Sequence, residues 1–506
     1  MPAVPADTRA AVLPVATVHL TKLAPRLGSY DALAVFSVAA FAVYVGLALA
    51  GAGGRTMPYA YPAGCLFIAL IAYVRSPATY VAFTWWTWLL TPLIRRVFDL
   101  RYGFHPTSAI LLGPLLATSV AVVTIARRRG MLRSSAYIPF TIAVLALSYA
   151  FLIGIIRQSP AAAAYDLLTW LAPLLFGLHL ALEWQNFPRL SRTLLSSILF
   201  GILVVAAYGI LQFVNPPAWD RSWVINAEMQ SVGAPVPFVI RVFSTLNAPG
   251  PFSIMLVFSL LIGMAARQRW KALPLAIGLV ALVLTKGRSA WGAFVVGALV
   301  LQFRQPIRSL PRQWFALMVV ILLAAPLITQ PRIMAVLTGR AASLGNVSGD
   351  QSFLARVETT RQVLTAISEN PIGMGLGKYG GASKLVTGNK IGTALDSGPL
   401  EIFDLMGWVG GTLYMMALVA IILPIARSGR RVYEPITAGA LAAVIALLAA
   451  SLFGNIFTSV SGFFFWTAIG LATAGRTYAG ALELASRFVA PVAESRALLA
   501  QHTTAE

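Results

Sequence analysis

Residues 330–397 read QPRIMAVLTGRAASLGNVSGDQSFLARVETTRQVLTAISENPIGMGLGKYGGASKLVTGNKIGTALDS, a single long polar interval in an otherwise apolar chain. On both sides of it, apolar runs of roughly 16–22 residues follow one another with short basic breaks, and a helix of that length spans a bilayer core. The interval ends on Asp396-Ser397-Gly398, with Glu401 and Asp404 opening the next apolar run. A large polar loop in such a chain needs a reason, and its chemistry is the place to look for function.

The rest of the composition agrees with a membrane protein. The 506 residues are 58% hydrophobic and 11% charged, whereas a soluble globular chain carries about 25% charged residues. Residues 1–30 show no cleavable signal pattern. Cys65 is the only cysteine, so no intramolecular disulfide braces the loop. The net charge of +21 raises nucleic acid as a partner. Its placement in short breaks between apolar runs argues against that and for a lipid bilayer.

The apolar runs fall at approximately 31–50, 58–74, 78–94, 108–126, 136–156, 162–182, 193–214, 251–266, 272–285, 289–303, 315–329, 398–424, 434–453 and 460–475. The expected fold is therefore all-α and polytopic, with about fourteen transmembrane helices. Its parts are a cytoplasmic tail 1–30, eleven helices over 31–329, the loop 330–397, three helices over 398–475, and a cytoplasmic tail 476–506. Arg127-Arg128-Arg129, Arg133, Arg189, Arg192, Arg267, Arg269, Lys271, Arg304, Arg308, Arg312, Arg427, Arg430 and Arg431 then share one side with both termini. By the excess of Lys and Arg in cytoplasmic loops, that side is the cytoplasm. The opposite side receives 95–107, 215–250, Lys286-Gly287-Arg288 and the large loop. These pieces carry Arg95, Arg96, Arg101, Arg221, Arg241, Lys286, Arg288, Arg332, Arg340, Arg356 and Arg361. They read either as solvated decoration or as an anion site, and their closeness to helix ends favours the site.

Within the loop, Ser352–Asn370 patterns as an amphipathic helix, with Phe353, Leu354, Val357, Val363, Leu364 and Ile367 near one face. Asn370-Pro371 ends it and Gly373-Met374-Gly375-Leu376-Gly377 follows. The bland reading is a helix on the membrane surface with a glycine turn beyond it. The functional reading adds Arg356 and Arg361 turned toward an anion. No Gly-Lys-Ser/Thr follows the glycines, so they are not a phosphate loop of the nucleotide-binding kind. Acidic residues are few, and Asp166, Asp396, Glu401 and Asp404 all fall near the outer interface. Ionisable groups at such depth are costly and usually functional. The four histidines, His19, His105, His179 and His502, lie outside the loop, so no histidine base serves it. Zinc spacing, a nucleophile elbow and a dinucleotide fingerprint are all absent from the sequence.

Four segments together resemble the O-antigen ligase and O-antigen polymerase superfamily of bacterial envelope glycosyltransferases. They are Arg241-Val-Phe-Ser-Thr-Leu-Asn-Ala-Pro-Gly, Thr285-Lys-Gly-Arg-Ser-Ala-Trp, Arg356 with Glu369-Asn-Pro-Ile-Gly-Met-Gly-Leu-Gly, and Asp396-Ser-Gly-Pro-Leu-Glu with Gly407-Trp-Val-Gly-Gly. The resemblance covers roughly residues 235–415; elsewhere only the helix pattern agrees. It implies metal-independent glycosyl transfer, without a cofactor, at the periplasmic face of the bacterial inner membrane. The donor would be a glycan on undecaprenyl pyrophosphate and the acceptor a glycan hydroxyl, with a flippase and a chain-length regulator as candidate partners. Arg241, Arg288 and Arg356 would hold the pyrophosphate, with Lys286 and Arg361 nearby. Guanidinium groups suit that task, because they offer paired donors and stay charged. The catalytic candidates are Asp396, Glu401 and Asp404. Ligases of the family usually show His-Asn where this chain has Asp396-Ser397. That departure favours a polymerase joining repeat units of an exopolysaccharide, capsule or O-antigen. A ligase that transfers the glycan to lipid A-core is the alternative. A transporter or flippase is a rival of another class, but it would set its binding groups near the bilayer midplane.

Overall fold

A computed structural model describes residues 31–52, 56–304, 351–388, 392, 394–428 and 434–503; for residues 230, 351–357 and 486–503 it describes the backbone only. The apolar run at 315–329, residues 330–350 of the polar interval, and both extreme termini lie outside the described residues. Among the described residues all regular structure is helical. In chain order the helices are α1 Ala32–Leu47, α2 Met57–Arg75, α3 Pro77–Tyr102, α4 Leu112–Ser119, α5 Val122–Arg127, α6 Ile138–Arg157 and α7 Pro160–Leu182. They continue with α8 Phe187–Val214, α9 Ala218–Asn226, α10 Pro249–Ala265, α11 Ala272–Leu284, α12 Arg288–Arg304, α13 Gln351–Glu369, α14 Gly380–Thr387, α15 Gly398–Arg427, α16 Pro435–Ser451 and α17 Ser459–Thr503.

Among the described residues, seven stretches are long and apolar enough to cross a membrane: Ala32–Ala52, Met57–Arg75, Ala109–Arg127, Ile138–Arg157, Pro160–Leu182, Trp184–Val214 and Gly398–Arg427. The chain is a multi-pass membrane protein by that measure, but the expected fourteen spans are met only in part. Helix α11 has 13 residues, about 20 Å at the α-helical rise, which is short of the ~30 Å hydrocarbon core. Helix α3 is long enough at 26 residues but carries Arg95, Arg96, Asp99 and Arg101 in its last turns. Helix α17 runs 45 residues and makes helical most of the segment expected as a tail.

The helix boundaries follow ordinary local chemistry. Ser76, Ser159 and Glu434 cap α3, α7 and α16 through their side chains, each ahead of a proline in the first turn. Packing is tightest where α17 lies on α7, with α3, α8, α10 and α16 around them. The centre is aromatic: Trp88 stacks on Phe463 at 5.3 Å between ring centres, and Trp85 meets Phe464 at 5.4 Å. Trp88 Nε1 donates to Thr118 Oγ1 at 2.8 Å, so the buried indole is satisfied. The outside is apolar as well, with Phe36, Phe67, Val74, Ile156 and Val409 exposed, as a lipid-facing belt requires.

Contacts sort the connections into two ends. At one end Arg101 reaches Leu49 O, Arg96 pairs with Asp220, Arg157 reaches Gly373 O, and Asn455 reaches Glu401. At the other, Arg128 pairs with Glu183 and Arg304 donates to Ala426 O and Ser428 O. All the carboxylates singled out in the sequence lie at the first end.

Candidate active site

The glycine segment forms no solvent-exposed turn, since Gly373, Gly375 and Gly377 are all buried. Helix α15 is interrupted at Gly407, whose φ of 63° and ψ of −172° no helix accommodates. The break releases the carbonyls of Asp404 and Leu405, which accept from Met374 N at 2.8 Å and Gly375 N at 2.9 Å. Trp408 N in turn donates to Pro371 O at 3.0 Å, and Leu376 N to Ala150 O on α6 at 3.0 Å. The segment thus replaces helix bonds that α15 gives up, leaving its buried backbone groups paired. Backbones meet so closely that a Cβ on Gly407 would lie 2.3 Å from Pro371 O, and one on Gly375 would lie 2.2 Å from Gly154 N. Only glycine fits either place. Tyr149, Arg157 and Gln158 of α6 and its end fasten the same segment through Ile372 O, Gly373 O and Met374 O.

This insertion positions the acids. Gly377 N donates to Asp166 Oδ2 at 2.8 Å, and Thr169 Oγ1 donates to Asp166 Oδ1 at 3.0 Å. Lys378 Nζ and Tyr379 OH donate to Asp404 Oδ2 at 2.6 and 2.9 Å. Asn455 Nδ2 donates to Glu401 Oε1 at 2.5 Å. Asp166, Glu401 and Asp404 are all buried, Asp404 to 2% exposure. Burial, and next the neighbouring Asp404 carboxylate, push the Tyr379 phenol well above its usual range. That phenol stays protonated and donates. Asp396 differs from the other acids: it is exposed, one residue before Ser397, which precedes the first turn of α15.

Two of the candidate cations meet at a turn of their own. The segment after α9 folds back on the α11–α12 turn, with Val242 N donating to Leu284 O at 3.4 Å. Arg241 Nε donates to Thr285 O at 3.2 Å and Nη1 to Ser231 O at 2.9 Å. Lys286, at a positive φ of 55°, donates from Nζ to Val239 O at 2.8 Å. Arg241 and Lys286 therefore share one turn, and Arg288 opens α12 directly after it. Arg361 is exposed on α13. The Arg356 side chain lies outside the described residues.

Arg95 and Arg96, grouped in the sequence with the outer cations, are committed elsewhere. Arg95 pairs with Asp99 at 3.1 Å and lies over Trp223. Arg96 pairs with Asp220 at 3.1 Å and donates to Ser244 O at 2.5 Å. Gln212 Oε1 accepts from Phe243 N and Ser244 N, both at 2.9 Å. These bonds pin the Arg241–Asn247 segment and hence the place of Arg241. Sequence reasoning missed the partners Lys378, Tyr379, Asn455 and Asp220. The one available signal was that Lys378-Tyr379 directly follows the glycines.

Residues 273–415 match a family model described as O-antigen ligase, and the match supports the O-antigen ligase and polymerase superfamily. The matched stretch contains Lys286, Arg288, the glycine segment and the first half of α15, and it stops short of Arg241. No curated protein matches the chain.

Proposed function

We propose that the protein is a polysaccharide polymerase. It transfers a glycan from undecaprenyl pyrophosphate to the hydroxyl of a second lipid-linked repeat unit, at the periplasmic face of the inner membrane. The observation that carries the reading is the family match over 273–415, which supports glycan transfer of the O-antigen ligase and polymerase type. The shared turn of Arg241 and Lys286, with Arg288 beside it, supports the donor half. Fixed cations at one end of the bundle suit a pyrophosphate, each charge-assisted bond contributing about 1.5–3 kcal/mol.

In the reaction, the acceptor oxygen bonds to the anomeric carbon while the bond from that carbon to the pyrophosphate oxygen breaks. The lipid pyrophosphate leaves with the electron pair, and the cations stabilise that charge as it develops, which is the role proposed for Arg241, Lys286, Arg288, Arg356 and Arg361. No metal is needed in this scheme. Asp396 takes or orients the acceptor proton, since it is the exposed carboxylate among the candidates. Glu401 and Asp404 are positioning residues here: buried and already hydrogen-bonded, they hold the glycine segment and the α16–α17 turn in place.

The ligase reading keeps one specific support, the description of the matched family. Purified protein in proteoliposomes, given a lipid-linked repeat unit alone, separates the two. A ladder of lengthening products is expected. Turnover that appears only when a lipid A-core acceptor is added would assign the ligase, and no turnover with either acceptor would remove the enzyme reading.

A further inference from the structure

The end of the bundle opposite the carboxylates holds a cavity of about 450 Å³ that the transfer reaction does not use. Its walls include Tyr73, Thr124, Arg127, Arg128, His179 and Glu183. The polar chemistry is organised. Tyr73 OH and Thr124 Oγ1 are 2.8 Å apart, and Thr124 Oγ1 and His179 Nδ1 are 2.7 Å apart. His179 is buried to 1% exposure, and its Nε2 has no hydrogen-bond partner among the described residues.

Charge bookkeeping sets the sign of the ligand. Glu183 is already used: Oε1 accepts from Arg128 Nε at 3.1 Å and Oε2 from Asn186 Nδ2 at 2.6 Å. Arg127 is exposed and lies over the Tyr73 ring at 5.4 Å. Its guanidinium has no hydrogen-bond or ion-pair partner among the described residues. The C-terminal ends of α2, α5 and α7 meet here, and each brings a partial negative charge of about half an elementary charge. That effect fades within a turn, and the N-terminus of α3 at Pro77 opposes it. A full guanidinium charge in direct contact with a ligand outweighs it.

Depth sets the ligand class. Three membrane-crossing candidates end at this level, at Arg75, Arg127 and Leu182, the last adjoining Glu183. Helix ends at the polar boundary of a bilayer lie among lipid headgroups. Val74 and Pro77 add an apolar wall beside the cations. A cavity of this size fits a small ligand. We propose that this cavity is a binding site for a phosphate ester, held by the Arg127 fork beside the Arg128–Glu183 pair, with His179 and Thr124 in its wall. A phospholipid headgroup and a soluble phosphate share that chemistry.

The test uses the full-length protein in maltoside detergent micelles, which carry no phosphate, with phosphatidylglycerol or inorganic phosphate added in separate arms. Lipid or phosphate retained is read by native mass spectrometry, and stability by thermal melting. Arg127→Gln is compared with Arg129→Gln, a neighbouring exposed arginine outside the cavity. The expected result is retention by the wild type and Arg129→Gln, with a fall of about tenfold in Arg127→Gln, as loss of one charge-assisted bond implies. Phosphatidylglycerol alone being retained assigns a headgroup site, and inorganic phosphate being retained as well assigns a soluble ester. Retention of neither by the wild type, or equal retention by both variants, would overturn the proposal.

Discussion

The ammonium of Lys378 lies 2.6 Å from Oδ2 of Asp404, and the same oxygen accepts from Tyr379 OH at 2.9 Å. A residue in the glycine segment thus neutralises a buried carboxylate on α15, and the segment cannot leave without exposing that charge to an apolar surround. The pairing makes Asp404 a fastening of the glycine segment.

Removing the fastening should cost stability. Lys378→Met leaves Asp404 with one donor, Tyr379. An under-satisfied buried carboxylate costs about 1–3 kcal/mol, and the smaller end applies because the Lys378 side chain is 28% exposed. Unfolding of the purified protein checks this. In a double-mutant cycle with Asp404→Asn the two losses should not add, and additive losses would show that the two groups do not interact.

The break in α15 gives a contrast of sign. Gly407→Ala places a Cβ 2.3 Å from Pro371 O at a left-handed φ, a strain of about 1–3 kcal/mol before the clash is counted. Gly292→Ala in α12 meets nothing within 4 Å and should be neutral or stabilising by up to about 1 kcal/mol from helix propensity. Thermal melting of the two variants side by side decides it, and a well-folded Gly407→Ala protein would mean that the glycine segment does not need the break.

The all-helical, membrane-crossing character was legible in the sequence and the span count only in part, for physical reasons. Apolar runs such as Ile138–Arg157 and Pro160–Leu182 announce themselves, because a bilayer imposes length and composition together. The amphipathic period over Ser352–Asn370 likewise matches α13. The interruption at Gly407 was hidden, since the break depends on a distant segment whose N–H groups donate to the freed carbonyls of Asp404 and Leu405. Asp166, Glu401 and Asp404 were visible as rare acids, but their donors Gly377, Lys378, Tyr379 and Asn455 are set by tertiary contact. Arg96 looked like an anion ligand in the sequence. Its partner Asp220 lies on another helix, and nothing in the spacing reveals the pair.

Orientation is open to a direct check. If the acidic end faces the periplasm, Thr387→Cys on α14 should react with an impermeant maleimide in intact spheroplasts. Ser134→Cys, at the opposite end, should react only after permeabilisation. Both positions are exposed, and the single native thiol, Cys65, is buried and silent. The reverse labelling pattern would place the acids in the cytoplasm and remove the periplasmic donor from consideration.

Glycan transfer at this end of the bundle, with cations on the donor and Asp396 on the acceptor, is tested most directly by separating binding from turnover. Donor affinity and single-turnover transfer are measured on Asp396→Asn and Arg288→Lys in proteoliposomes. Asp396→Asn should bind lipid-linked donor normally and transfer it about 100-fold or more slowly, the size of a general-base contribution. Arg288→Lys keeps the charge but loses the planar fork, so it should weaken donor binding. Near-normal transfer by Asp396→Asn, at wild-type expression and donor affinity, would contradict the assignment of Asp396.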